Sequence, residues 1–248
     1  LLYTPSRRRL IGSLAAMGLV GPSLLAGACK PKPGDSGAPA DSGDTSDTSD
    51  TSDTGTAAST PAADGFSMPA ETDLHAGCIM QFPPPEHYCN GGATDCRLIQ
   101  RARAEWAATA LAIAEHEPVA MYVAPDDMAR AKKLVGGAVT LLEAELNDGW
   151  SRDSGPILLR NPAGQVRAAC FQFNGWGESY SYDKDALIKW RMAEDLGVRT
   201  YDHPMVLEGG AVMVDGEGTL VTTQECLLHD TRNPHLSQAQ QEQILKDW

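Results

Sequence analysis

Val119-Ala120-Met121-Tyr122-Val123, followed by Pro125-Asp126-Asp127 and then by Val139-Thr140-Leu141-Leu142, decides the fold class. The first run is short, apolar and bounded, as a buried strand requires. Proline ahead of two aspartates is a helix start, because the first turn leaves its N–H groups unused and favours negative charge. The spacing predicts a helix to about Val135 and a second strand over Val139 to Leu142. Strand, helix and strand at this spacing describe an α/β unit, not an all-β sandwich.

The alternation continues on both sides. Leu98, Ala102, Trp106, Ala110 and Ile113 fall at helical spacing within Leu98 to His116, and Pro118 stops that helix. Ile157 to Leu159 and Val166 to Phe173 read as strands joined by the turn Asn161-Pro162-Ala163-Gly164. Asp185 to Leu196 is an amphipathic helix with Gly197 as its C′ residue. Val198 to Tyr201, Ala211 to Val214 and Leu220 to Thr223 complete the strands, the last two joined by Asp215-Gly216-Glu217-Gly218. Ser237 with Gln240 forms a capping box that opens a final helix.

The first quarter of the chain is of another kind. Ser6-Arg7-Arg8-Arg9 precedes an apolar stretch from Leu10 that ends in Leu25-Ala26-Gly27-Ala28-Cys29. A basic start, a short apolar core and small residues before the cut describe an export signal over residues 1–29. The paired arginines resemble a twin-arginine signal. The residues before Cys29 resemble a lipobox, which makes Cys29 the expected lipidation site. Residues 30–64 are Gly, Ser, Thr, Asp, Ala and Pro, including the repeat from Asp44 to Asp53. They bury no apolar area and are expected to form an extended, self-repelling tether. The expected location is therefore exported and lipid-anchored at the bacterial cell envelope, on the periplasmic or surface side. The chain starts at Leu1, not Met, and its last helical pattern has barely begun at Trp248, so residues 65–248 are expected to be the N-terminal part of a domain truncated at its C-terminus.

A formal net charge of −13 argues against a nucleic-acid partner and suits a cationic small molecule. Of six cysteines, Cys29 belongs to the lipobox and five remain, so at least one stays free. Cys89 and Cys96 flank a Gly-rich loop that a disulfide would close in an exported protein.

The chemistry resides in Asn147-Asp148-Gly149-Trp150-Ser151-Arg152-Asp153-Ser154-Gly155-Pro156 and in Leu207-Glu208-Gly209-Gly210. Each puts a carboxylate beside small turn-forming residues. Two carboxylates suit a planar guanidinium, whose N–H fork matches carboxylate oxygens in a bidentate geometry. Plainer readings stand beside this one: a salt bridge from Asp153 to Arg152, a turn cap at Glu208, and a core position for Trp150.

Further motifs follow in a fixed order. They are Phe173-Asn174-Gly175-Trp176-Gly177, Val214-Asp215-Gly216-Glu217-Gly218-Thr219, Thr222-Thr223-Gln224-Glu225-Cys226-Leu227-Leu228 and Arg232-Asn233-Pro234, with Met68-Pro69-Ala70-Glu71 upstream. Taken in series they resemble the agmatine deiminase family, which is related to the bacterial peptidyl-arginine deiminases of the pentein superfamily. The resemblance runs from Gly65 onward. It implies an α/β propeller of pseudo-fivefold ββαβ units, incomplete in this chain. Asp153 and Glu208 would hold the two sides of the substrate guanidinium, Trp150 would offer a cation–π face, and Asp148 would add negative potential nearby.

The resemblance also implies the reaction: conversion of agmatine to N-carbamoylputrescine and ammonia, a step toward putrescine, without a metal or other cofactor. A cysteine thiolate attacks the guanidinium carbon, ammonia leaves, and water releases the ureido product. A histidine moves protons and an aspartate orients it. No catalytic residue of that set is found here, and the family's cysteine, histidine and aspartate are expected beyond Trp248. None of the six histidines fits the family's pattern. Cys226 and Cys170 read as inert thiols in apolar company.

Three departures bear on the substrate. Met213 replaces a usual histidine, Ile79 and Phe82 replace two tryptophans, and an insertion carrying Cys89 and Cys96 follows. Peptidyl-arginine is therefore an alternative substrate, and a non-catalytic guanidino-binding lipoprotein is the alternative from another class. The partners expected are thus a small guanidino cation and a membrane reached through the lipid anchor.

Overall fold

Strand β1 (Cys78–Gln81) opens a parallel sheet. The computed structural model describes residues 59–89 and 93–248. The expected export signal and Cys29 lie outside the described residues, as does most of the expected tether. Its last residues, 59–64, are held: Pro61 is buried, the Ala62 amide donates to the Asp247 carbonyl, and the Tyr201 hydroxyl donates to Asp64. Ser59–Trp248 is one compact unit.

Helix α1 (Arg97–Ala114) follows, then β2 (Val119–Val123), a 3-10 turn at Pro125–Asp127, α2 (Met128–Val135) and β3 (Thr140–Glu143). The opening stretch is thus a strand, helix, strand unit in which β2 pairs in parallel with β1 on one side and β3 on the other. Flanked on both edges, β2 is buried at Val119, Met121, Tyr122 and Val123, which is why its sequence is continuously apolar. Ile99, Ala107 and Ala110 of α1 and Ala131 and Val135 of α2 are buried with it.

A one-turn helix α3 (Ser151–Ser154) precedes the second sheet. There β4 (Ile157–Arg160) pairs antiparallel with β5 (Val166–Gln172), and β5 pairs in parallel with β6 (Thr200–Val206). Helix α4 (Asp185–Asp195) is the crossover, ended by Gly197 at φ 65°. The sequence pattern ends the last strand of this sheet at Tyr201, whereas β6 runs on through Pro204. Proline is tolerated because β6 is an edge strand and its register with β5 shifts between Cys170 and Gln172.

The expected strands at Ala211 to Val214 and Leu220 to Thr223 shrink to a hairpin of β7 (Met213–Val214) and β8 (Leu220–Val221). Gly209–Ala211 is a 3-10 turn, and Thr223 caps the short helix α5 (Gln224–Leu227). Helix α6 (Gln238–Asp247) carries the expected capping box, with Ser237 and Gln240 bonded reciprocally. Phe66, Leu159, Phe171, Met205 and Leu207 form the core over the second sheet.

Among the described residues no helix is long and apolar enough to cross a membrane. Cys89 and Cys96 form a disulfide, and Cys78, Cys170 and Cys226 are free.

Candidate functional site

The two carboxylate motifs, far apart in sequence, pack on each other where α3 meets the 3-10 turn at Gly209–Ala211. The Gly210 amide donates to Asp153 Oδ1 at 3.0 Å. A Cβ on Gly209 would fall on the Arg152 carbonyl, and one on Gly210 would fall on Asp153 Oδ1. Only hydrogen fits at Gly209, where the neighbour is backbone, and a side chain at Gly210 would displace the Asp153 carboxylate. Asp153 is partly accessible. Burial pushes its carboxyl above the usual carboxylate range, and the Gly210 amide and the Trp176 indole pull it back.

Neither of the plainer readings of these carboxylates holds. Arg152 turns away from Asp153 to pair with Glu71 at 2.8 Å. Glu208 makes no side-chain cap. Its Oε1 instead accepts from Arg232 Nε at 2.8 Å, in a pair whose side chains are 5% and 11% exposed. Oε2 accepts no hydrogen bond from the described residues. Next along the chain, Asn233 accepts from the Val206 amide at 2.8 Å and donates to the Val206 carbonyl at 2.9 Å, closing the free edge of β6 just before Glu208.

Asp148, expected to add negative potential nearby, fastens its own loop. It is buried, and its Oδ1 accepts from the Gly149 amide at 2.7 Å and from the Tyr88 hydroxyl at 3.1 Å. Its carboxyl is raised by burial and lowered by these same bonds. Asp148 therefore fastens the loop, and its negative charge is largely engaged by its own neighbours. Trp150 is 45% exposed, which overturns the core reading, and its ring meets the edge of Trp106 at 5.2 Å. Trp106 in turn donates to the Gly149 carbonyl.

Asp185 holds this loop from below. Its carboxylate accepts from the amides of Asn147 and Asp148 at 3.0 and 2.9 Å, and from Gln81. Burial pushes its pKa to about 7. The Asn147 side chain completes the knot. It accepts from the amides of Lys184 and Asp185 and donates to Glu86 and Asp183. Ser154 donates to Gln81 at 2.8 Å. Sequence reading misses Asp185, Gln81, Tyr88 and Glu86. Arg232 and Trp176 are visible as motif residues, but nothing in the motifs reveals their contacts.

The free thiols are poorly placed for nucleophilic work. Cys170 is fully buried and its pKa is pushed up to about 12; burial also raises Cys78. Cys226, expected to be buried, is half-buried on α5. No group of His, Cys, Asp and Glu among the described residues is arranged to hold a metal ion. A cleft of 1120 Å³ lies over the second sheet, lined by apolar residues such as Phe66, Phe171 and Leu245; none of Asp148, Trp150, Asp153 and Glu208 lines it.

Residues 67–248 match the family model described as Porphyromonas-type peptidyl-arginine deiminase. The chain belongs to that family. It is 39% identical over 198 residues to the agmatine deiminase of Pseudomonas aeruginosa, covering 77% of this chain and 52% of the relative. The solved agmatine deiminase of Enterococcus faecalis superposes with a TM-score of 0.70 at 33% identity, covering 77% of this chain and 52% of that one. An agmatine deiminase of C. jejuni, at 23% identity and a TM-score of 0.57, shares the fold. The chain spans about half the length of the curated relatives it matches. The α/β architecture expected from the sequence is the one found.

Proposed function

We propose that Ser59–Trp248 is the guanidinium-recognition part of an exported guanidino deiminase. Asp153 grips one side of the guanidinium, with the free Oε2 of Glu208 on the other and the exposed face of Trp150 against the cation. The observation that carries this reading is the packing of Gly209 and Gly210 onto Arg152 and Asp153. It sets the segment that carries Glu208 against the segment that carries Asp153, while Arg152 is engaged by Glu71 and Arg232 meets only one oxygen of Glu208.

The reaction of the whole protein would convert agmatine and water to N-carbamoylputrescine and ammonia. The thiolate, the proton-shuttling histidine and its aspartate would come from sequence corresponding to the part of the relatives that this chain does not span. The complete domain would close as a pentein propeller, of which the two sheets here are successive portions. Residues 1–29 would direct export and present Cys29 for lipidation at the cell envelope. The Cys89–Cys96 disulfide supports an oxidising location. A peptide-borne arginine is the second reading, favoured by the description of the matched family and by the exposure of Met213 at 66% beside the motif.

Calorimetric titration of this chain with agmatine tests the recognition step. Binding that Asp153→Asn abolishes is the expected result, and unchanged binding by that variant overturns the reading. Ammonia release by the full gene product, from agmatine against an arginine-containing peptide, then chooses the substrate.

A further inference from the structure

The insertion that departs from the family pattern is built as an arch over the recognition loop. Its first foot is the Pro83 carbonyl, which accepts from Arg103 Nε of α1 at 3.0 Å. Its second foot is Cys89, bonded through the disulfide to Cys96, the residue that immediately precedes α1. Both feet therefore stand on one helix, and that helix is pinned by the buried ion pair of Arg103 with Asp127.

Two of the three residues at the crown of the arch bond to the loop, and the third packs on the aromatic cluster beside it. Glu86 Oε2 accepts from the Asn147 side chain at 3.2 Å, and the Tyr88 hydroxyl donates to Asp148 Oδ1 at 3.1 Å. His87 meets Tyr180 at 5.2 Å, and Tyr180 in turn meets Trp176, whose indole lowers the Asp153 carboxyl. His87 Nε2 is buried without a hydrogen-bond partner among the described residues. Backbone bonds from Tyr88 and Cys89 to the Pro85 carbonyl keep the crown to a single tight turn. The disulfide shortens the connection from Cys89 to Cys96, a sequence separation of 7, into a direct cross-link at the start of α1.

We propose that the Cys89–Cys96 disulfide is a positioning element of the guanidinium site, acting through Tyr88, which it holds against Asp148 so that the Asp148–Asp153 segment is set for ligand. Reduction by a dithiol delivers two electrons and two protons to the Sγ–Sγ bond, gives two thiols, and closes the dithiol to its own cyclic disulfide. The second foot then lifts, and the Tyr88 hydroxyl no longer has a fixed place. The site thereby becomes sensitive to the redox state of its surroundings. This inference rests on the guanidinium reading for its functional consequence, but the mechanical coupling is measured separately.

The experiment uses the full chain, oxidised and dithiothreitol-reduced, as wild type and as Tyr88→Phe, with Cys89→Ser/Cys96→Ser as a reductant-free control. Agmatine affinity is read by calorimetry and the amides of residues 147–153 by hydrogen exchange. Loss of a hydrogen bond to a carboxylate predicts about tenfold weaker agmatine binding on reduction, and about the same loss in oxidised Tyr88→Phe. Reducing Tyr88→Phe should add less than about twofold, because both changes remove one contact. Amide exchange over 147–153 should quicken on reduction of the wild type.

The acid limb of agmatine binding should also move to higher pH in Tyr88→Phe, since the hydroxyl holds the Asp148 carboxyl down against burial. His87 and Asp185 act on the same region, and Glu86 acts on Asp185, in both proteins. Equal affinity of the wild type before and after reduction, or a loss on reducing Tyr88→Phe as large as that on reducing the wild type, overturns the inference. Unchanged exchange over 147–153 does so even if agmatine does not bind. Quickened exchange without any agmatine binding keeps the positioning role and removes the guanidinium reading. Should the double serine variant fail to fold, the reduction and Tyr88→Phe arms still decide.

Discussion

Replacing Asp185 by asparagine isolates the group that holds the recognition loop, and its effect should reverse with pH. Asp185 is 2% exposed and accepts two backbone amides and the Gln81 amide. Its folded pKa stands at about 7, against an ordinary 3.8, because burial outweighs those bonds. A carboxyl raised on folding contributes stability that is fully present below its unfolded pKa and is lost as pH rises through the folded one. Between pH 5 and pH 7 the unfolded chain is ionised while the folded one keeps its proton, so each pH unit removes about 1.4 kcal/mol. The wild type should therefore lose about 3 kcal/mol from this group between pH 5 and pH 8.5. The carboxamide of the Asp185→Asn variant does not titrate. It presents an NH₂ where a second acceptor is needed, leaving one buried amide unsatisfied at a cost of about 1–3 kcal/mol at every pH. Asp185→Asn should thus be the less stable protein at pH 5 and equal to or more stable than wild type at pH 8.5. Asp127, Asp148 and Asp153, also raised by burial, are present in both proteins, and their contributions largely cancel in the difference. Urea unfolding of both proteins across that range is the assay. A stability difference constant to within about 0.5 kcal/mol from pH 5 to pH 8.5 would refute the argument and show that the amide bonds, not burial, set the charge of Asp185.

Arg232→Met should destabilise the chain by roughly 3 kcal/mol, since it leaves Glu208 buried beside no cation, and adding Glu208→Gln should recover most of that loss in the same urea experiment. Gly210→Ala should place a methyl on Asp153 Oδ1 and weaken agmatine binding at least about tenfold; binding within twofold of wild type would show that Asp153 swings aside freely. Trp150→Ala should cost about 1–2 kcal/mol of stability, because the residue is just over half buried and its ring packs edge-on with Trp106. It should also lower agmatine affinity several-fold, as loss of a cation–π contact of about 1 kcal/mol requires.

What can be read in the sequence is what local pattern controls. β2 begins and ends where its apolar run does, and the Ser237 capping box forms as written. Gly197 stops α4 because a left-handed residue ends a helix whatever surrounds it. β6 reads too short because Asp202, His203 and Pro204 look like breakers. An edge strand with a shifted register tolerates them, and edge position is a property of the assembled sheet. The site divides in the same way. Asp153, Glu208 and Trp150, the proposed guanidinium contacts, are singled out through motif and chemistry. Gln81, Tyr88 and Asp185 are not, because hydrogen-bond partners have no sequence signature when they lie 37 to 104 residues apart. Arg232 shows the limit most clearly: the motif marks the residue as important, yet only the fold reveals that its guanidinium occupies one oxygen of Glu208.

The run Gly175-Trp176-Gly177-Glu178 explains how two carboxylates from different segments are held in one geometry. All four residues have positive φ, with Trp176 at 56° and Glu178 at 62°, so the chain makes a left-handed turn. For the two residues with a Cβ this costs about 1–2 kcal/mol each, and such turns persist only where neighbours over-determine them. Here they do. Asn174 accepts from the Gly177 amide and donates to the Thr231 carbonyl, while the Trp176 ring is wedged edge-on between Phe173 and Tyr180. The turn then reaches both halves of the site. The Trp176 indole helps to hold the Asp153 carboxyl down, and Gly177 lies so close to Thr231 and Arg232 that a side chain there would push on the guanidinium that pairs with Glu208. One strained turn therefore sets the partner of each carboxylate. A right-handed turn of the same length would send Trp176 elsewhere and uncouple them, which accounts for glycine at both 175 and 177 when helix propensity alone would reject it.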